Sequence, residues 1–182
     1  MNKEKSFLSV REMVEMALLL ALAVVLDLAG IKIGHASLTM VPLFVLAYRH
    51  GIIKSAFVIG IIYGFINLMF DSWVMDPIFL VFDYILGFGS ISLAGLFSKR
   101  IFNKSDKHLV NISWLVASVL LCSSIRIMCS TISGMIVYEL PFVESFVANL
   151  TIYVGWDCLL ALVALLVLYP TILLLNKRFP SL

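Results

Sequence analysis

Six apolar stretches, each near the length of a membrane crossing and separated by only short polar connectors, decide what this chain can fold into. They run over residues 14–30, 38–48, 52–70, 77–97, 112–138 and 146–175. A helix rises about 1.5 Å per residue and a bilayer core is about 30 Å thick, so a crossing takes about 20 mainly apolar residues. The second stretch is short and begins near Pro42, and only Arg49-His50-Gly51 separates it from the third. Composition agrees, with 62% of 182 residues hydrophobic and 13% charged, against about 45–50% and about 25% in soluble domains. These values exclude a water-soluble domain, a disordered chain, a disulfide scaffold and a nucleic-acid binder. The expected class is an all-α integral membrane protein with six transmembrane helices forming one domain over 1–182. Its first stretch reads as a mature helix rather than a cleaved signal, because Asp27 interrupts its end and no small-residue cleavage pattern follows.

Lys and Arg accumulate in short cytoplasmic loops and so report orientation. Lys3, Lys5 and Arg11 precede the first stretch, Arg49 and Lys54 flank the turn after the second, Lys99, Arg100, Lys104 and Lys107 follow the fourth, and Lys177 and Arg178 follow the sixth. Only an even number of crossings with both termini cytoplasmic puts these on one side, leaving Lys32 in an outer loop and Arg126 inside the fifth stretch. The polar loop Asn103-Lys-Ser-Asp-Lys-His108 is then a cytoplasmic connector. Glu4, Glu12, Glu15 and Asp106 share that side. Asp27, Asp71, Asp76, Asp83, Glu139, Glu144 and Asp157 fall in the outer loops or outer halves of the stretches. An acidic mouth of this kind attracts cations; equally, acids are tolerated wherever the basic bias leaves room.

Ionisable groups inside a membrane are costly, about 2.5–3.5 kcal/mol at a helix centre, and face the protein interior. Asp83, Arg126 and Asp157 are of this kind. Helical rise puts them about 9, about 18 and about 16 Å below the outer ends of their stretches, so Arg126 and Asp157 can meet at one depth. Two readings are open: an interhelical ion pair, or a polar pocket that orients a ligand. Tyr84, Tyr138, Tyr153, Trp156 and Trp73 gather near the same level, where a flat or cationic ligand would stack. An interfacial aromatic belt has the same pattern, and it suits Trp73 and Tyr138 better than Tyr84 and Trp156. Asn149, Ser130 and Ser133 can add hydrogen bonds, although Ser in a span often bonds back to its own helix.

Ala17-Leu-Leu-Leu-Ala21 and Gly60-Ile-Ile-Tyr-Gly64 are small-residue stripes of the kind that lets helix backbones approach. Internal packing is the simpler expectation for either. The sequence has no GxxxxGK[ST] phosphate loop and no HExxH or His/Cys cluster, so neither a resident metal nor a cofactor is expected. His35, His50 and His108 map to loops or span ends, which counts against an intramembrane serine protease. Cys122, Cys129 and Cys158 lack CxxC spacing and read as buried small apolar residues.

The segment Leu38-Thr-Met-Val-Pro-Leu-Phe-Val-Leu-Ala-Tyr-Arg-His-Gly51, then Tyr63-Gly64-Phe65, then Val81-Phe-Asp-Tyr-Ile-Leu-Gly-Phe88 and Leu93-Ala-Gly-Leu-Phe97 resembles the thiamine-specific S components of energy-coupling factor (ECF) vitamin transporters. The resemblance is best from Glu15 to Phe97. It implies a bacterial plasma-membrane protein that is not an enzyme. Such a protein captures a vitamin, here thiamine, in an outward pocket and releases it inward when assembled with a coupling subunit and two ATPases. It further implies that Asp83-Tyr84 bind the aminopyrimidine, that Arg126 lies near the hydroxyethyl end, and that Tyr138 stacks on the ligand. Ala17 and Ala21 match the AxxxA motif through which S components dock on the coupling subunit. Ser130 stands where the family can have His. Asn149, Tyr153 and Asp157 align with the family's last-helix Tyr and Asn only by choosing a register. The outer loop Ile31-Lys-Ile-Gly-His-Ala-Ser37 lacks the Trp and acid of some members. The expected ligand set is therefore Asp83, Tyr84, Arg126, Ser130, Tyr138, Asn149, Tyr153, Trp156 and Asp157. Another vitamin, a small membrane enzyme built on Arg126, Asp157 and Asp83, and a structural membrane partner stand as alternatives.

Overall fold

A computed structural model describes residues 9–29, 32–33, 36–70, 76–102 and 108–178. Its helices are α1 (Val10–Leu28), α2 (Met40–Phe70), α3 (Pro77–Ile101), α4 (His108–Val137) and α5 (Phe142–Arg178). A short antiparallel ladder, β1 (Lys32–Ile33) on β2 (Ala36–Ser37), lies between α1 and α2. Helices α2 to α5 are each long and apolar enough to cross a membrane. Helix α1 carries Arg11, Glu12, Glu15 and Asp27 within 19 residues and is more polar. It starts before its apolar stretch because Ser9 and Glu12 form a capping box. The Glu12 N–H donates to Ser9 Oγ at 3.2 Å and the Ser9 N–H to Glu12 Oε2 at 2.9 Å.

The second and third apolar stretches are two legs of α2 that fold back on each other at Gly51, whose φ of 72° and ψ of 178° suit glycine. Contacts with α1 fix the direction of each leg. Arg49, at the end of the first leg, pairs with Glu15, and Lys54, at the start of the second, pairs with Glu12 at 2.6 Å. Both acids sit near the start of α1. Far along the second leg, Asn67 Nδ2 donates to Asp27 near the end of α1 at 2.8 Å. The first leg thus runs against α1 and the second alongside it.

Glycines let α3 press on both legs. A Cβ at Gly95 would lie 2.8 Å from the Ala47 carbonyl and from Ile52 N, against the turn itself. On the second leg, a Cβ at Gly60 would lie 3.3 Å from Gly89 Cα, and one at Gly64 3.3 Å from the Tyr84 carbonyl oxygen. The Gly60/Gly64 stripe is therefore internal packing, as expected, whereas Ala17 and Ala21 are exposed beside Leu18 and Leu22.

Helix α4 runs antiparallel to α3, with Tyr138 on Phe79, Ser130 on Asp83 and Ser90 on the Cys122 carbonyl. Helix α5 returns along α4, Ser145 Oγ donating to the Thr131 carbonyl at 2.9 Å. The core gathers around Phe44, Leu46 and Tyr48, all fully buried, and the Tyr48 hydroxyl shares a 2.7 Å hydrogen bond with Ser118.

Glu12 precedes the first apolar stretch, and its hydrogen bonds from Lys54 and Ser9 hold its pKa at about 2, below the ordinary 4.5. A carboxylate depressed in the folded state stabilises above its unfolded pKa and loses that contribution as pH falls through the folded one. Glu12→Gln is therefore expected to lower the melting temperature of the detergent-solubilised protein at pH 6. The deficit relative to wild type should shrink between pH 4.5 and pH 2; melting curves across that range check it.

Candidate binding site

Asp76 starts α3 by accepting the Ile78 N–H at 2.8 Å, with Pro77 in the first helical position. From Leu80 to Phe88 the helix winds in wide π-type turns. Closure from i to i+5 brings residues five apart towards one face, so Asp83 and Phe88 both reach α4. Asp83 Oδ1 accepts the hydroxyl of Ser130, which is buried on α4. One turn earlier on α4, Arg126 is 8% exposed, and its guanidinium carbon lies 4.0 Å from the centre of the Phe88 ring. Arg126 Nε and Nη1 find no hydrogen-bond acceptor among the described residues. Gly87 lies between the two charged groups, where a Cβ would be in ordinary contact with Asp83 Oδ1 at 3.9 Å and Arg126 Cγ at 4.0 Å and would press most closely on the Phe82 carbonyl oxygen at 3.2 Å.

Further aromatic rings pack on Phe88. Tyr84 is buried and tilted against Phe88 at 6.3 Å, and Tyr63 meets Phe88 edge-on at 4.8 Å and 85°. The Tyr63 hydroxyl accepts from Asn67 Nδ2 at 3.0 Å and donates to Asp27 at 3.4 Å. A carboxylate steadied by a hydroxyl, a guanidinium with donors to spare and buried aromatic faces can together take a flat ligand that has both donors and acceptors. Among the described residues no group of His, Cys, Asp and Glu is arranged to hold a metal.

The structure thus brings together Asp83, Tyr84, Arg126 and Ser130 from the sequence-derived set. No ion pair joins Arg126 to Asp157 among the described residues, so the equal depth of these groups does not become a salt bridge. Asp157 Oδ1 instead accepts the Ser37 N–H at 2.5 Å, tying α5 to β2 and the connector before α2. Three other residues stand apart. Tyr138 is 63% exposed, edge-on to Phe79. Trp156 is 47% exposed and its indole N–H donates to the Thr151 carbonyl at 2.6 Å, while Asn149 donates back to Ser145 at 2.9 Å. The Tyr153 side chain, His35 and Trp73 lie outside the described residues. Phe88, Tyr63 and Asn67 join the cluster although sequence reading did not select them for it. The i, i+4 spacing of Tyr63 and Asn67 was the available signal for the second and third.

The model of the thiamine transporter protein family (Thia_YuaJ) matches residues 13–177. The thiamine transporter ThiT of Bacillus subtilis (strain 168) is 28% identical, covering 76% of this chain and 74% of that protein. A solved structure of ThiT from Listeria monocytogenes, obtained by native-SAD phasing, superposes with a TM-score of 0.68 at 24% identity, over 93% of this chain and 94% of that one, and shows the shared fold. With a family match running from the start of α1 to the end of α5, the chain belongs to the thiamine transporter protein family, membrane proteins of transport rather than enzymes.

Proposed function

We propose that this chain is the substrate-capture S component of an ECF-type importer, crossing the membrane six times with both termini cytoplasmic and binding thiamine from outside. The six crossings are α1 from residue 14 onward, the two legs of α2, and α3 to α5. What carries the reading is the placement of Asp83 and Tyr84, buried or half-buried beside Ser130 and Arg126, in a chain whose Bacillus subtilis relative is named a thiamine transporter. The Asp83 carboxylate is suited to accept from the amine of the aminopyrimidine, with Ser130 holding it in place. Tyr84 offers a stacking face, and Arg126 presents unengaged donors to the hydroxyethyl end. Acids at the outer ends of the helices favour approach of the thiazolium cation. Asn149, Tyr153, Trp156, Asp157 and Tyr138 complete the proposed ligand set from α5 and the end of α4.

Transport then needs partners. Ala17 and Ala21, exposed on α1, are proposed to seat the coupling subunit, which links the chain to two ATPases. Small residues there let a partner helix approach closely.

A carboxylate hydrogen bond is worth about 1.5–3 kcal/mol, so Asp83→Asn is expected to weaken thiamine binding by well over tenfold. Quenching of tryptophan fluorescence in purified protein measures this, and unchanged affinity would remove Asp83 from the site. The same titration with a panel of vitamins tests the ligand itself. Ala17→Trp is expected to abolish ATP-dependent uptake in cells while the purified variant binds thiamine as wild type does; normal uptake would remove α1 as the docking face.

A further inference from the structure

A guanidinium on a long side chain, buried and without acceptors for Nε and Nη1 among the described residues, is oriented by whatever packs against its plane. For Arg126 that is the face of Phe88, 4.0 Å from the guanidinium carbon, and such an attraction strengthens when both groups are out of water. Phe88 is itself held on two sides. Tyr63 abuts it edge-on at 4.8 Å, and Tyr84 leans on it at 6.3 Å. Tyr63 is fixed in turn, because Asn67 Nδ2 donates both to its hydroxyl and to Asp27 Oδ2, at 3.0 and 2.8 Å. The brace therefore runs from α1 through the second leg of α2 and α3 to Arg126 on α4.

We infer that Phe88, backed by Tyr63, is a positioning residue that aims the Arg126 guanidinium at the ligand while leaving its donors unengaged. An ion pair in the same place would consume those donors; an aromatic face orients the cation without using them. A hydroxyl or other acceptor on the ligand then meets Nε and Nη1 directly. The part of this that concerns the ligand rests on the binding site proposed above. The part that concerns Arg126 orientation stands without it.

Two measurements separate these parts. In protein labelled with nitrogen-15 at arginine, the Arg126 Nε–H resonance is expected to be shifted by the Phe88 ring current without any ligand. Assigned by its loss in Arg126→Met, it should keep that shift in Phe88→Tyr and lose it in Phe88→Leu. A resonance unmoved by Phe88→Leu overturns the positioning role, whether or not thiamine binds. A double-mutant cycle on thiamine affinity then tests the consequence. Phe88→Leu is expected to weaken binding about tenfold, Phe88→Tyr to restore it, and Phe88→Leu to add less than twofold once Arg126→Met is present. An equal loss in both backgrounds would mean that Phe88 merely packs, and no loss in either would also contradict the inference. Melting temperatures of the unliganded variants confirm that each is folded. A wild-type protein that binds no thiamine would remove the proposed ligand but leave the spectroscopic result to decide the role of Phe88.

Discussion

Burying the Arg126 guanidinium among apolar helices is costly, about 2.5–3.5 kcal/mol at a helix centre, and the surrounding architecture follows from how that cost is met. Among the described residues no ion pair to Asp83 or Asp157 meets it. The cation instead lies across an aromatic ring, one helical turn from the Ser130 hydroxyl that holds Asp83. For ring and carboxylate to face the same neighbour, α3 has to wind more loosely than an α-helix between Leu80 and Phe88. The close approach of α3 to the second leg of α2 depends on Gly60 and Gly64, where a Cβ would press on the α3 backbone at 3.2–3.3 Å. Helix winding, glycine contacts and the polar site are thus one arrangement.

The opposite end of the bundle is organised by charge pairing. Glu12 and Glu15 of α1 hold Lys54 and Arg49 on either side of the Gly51 turn, which fixes the start of α1 against both legs of α2. Toward the other end of α1, Asp27 is joined to Asn67 and Tyr63. The helix is therefore fastened at both ends on its inward side, while Ala17, Leu18, Ala21 and Leu22 between them stay uncovered. A helix held in this way presents one constant face outward.

Much of this was legible in the chain itself, because bilayer thickness imposes a length that shows in apolar runs. The turn at Arg49-His50-Gly51 was visible for the same reason, and Gly51 supplies the backbone conformation it needs. The early start of α1 was also readable in Ser9 and Glu12, though an apolar run alone does not report a capping box. Depth proved a weaker guide than length. Arg126 and Asp157 share a level by helical rise, yet among the described residues no ion pair joins them, since rise says nothing about rotation around the helix axis. Phe88 escaped detection because a regular 3.6-residue period places it away from Asp83, and the π-type winding that reunites them leaves no clear mark in sequence. Trp156 and Asn149 each bond to a carbonyl of their own helix, a local competition that spacing does not reveal.

The polar cluster between α3 and α4 is the site proposed to hold thiamine. A structure of the purified protein crystallised with thiamine tests it most directly. The aminopyrimidine amine is expected within hydrogen-bonding distance of the Asp83 carboxylate, with Tyr84 against the ligand and the hydroxyethyl end toward Arg126. Thiamine bound elsewhere, with Asp83 still joined to Ser130 and no contact to the vitamin, would contradict it.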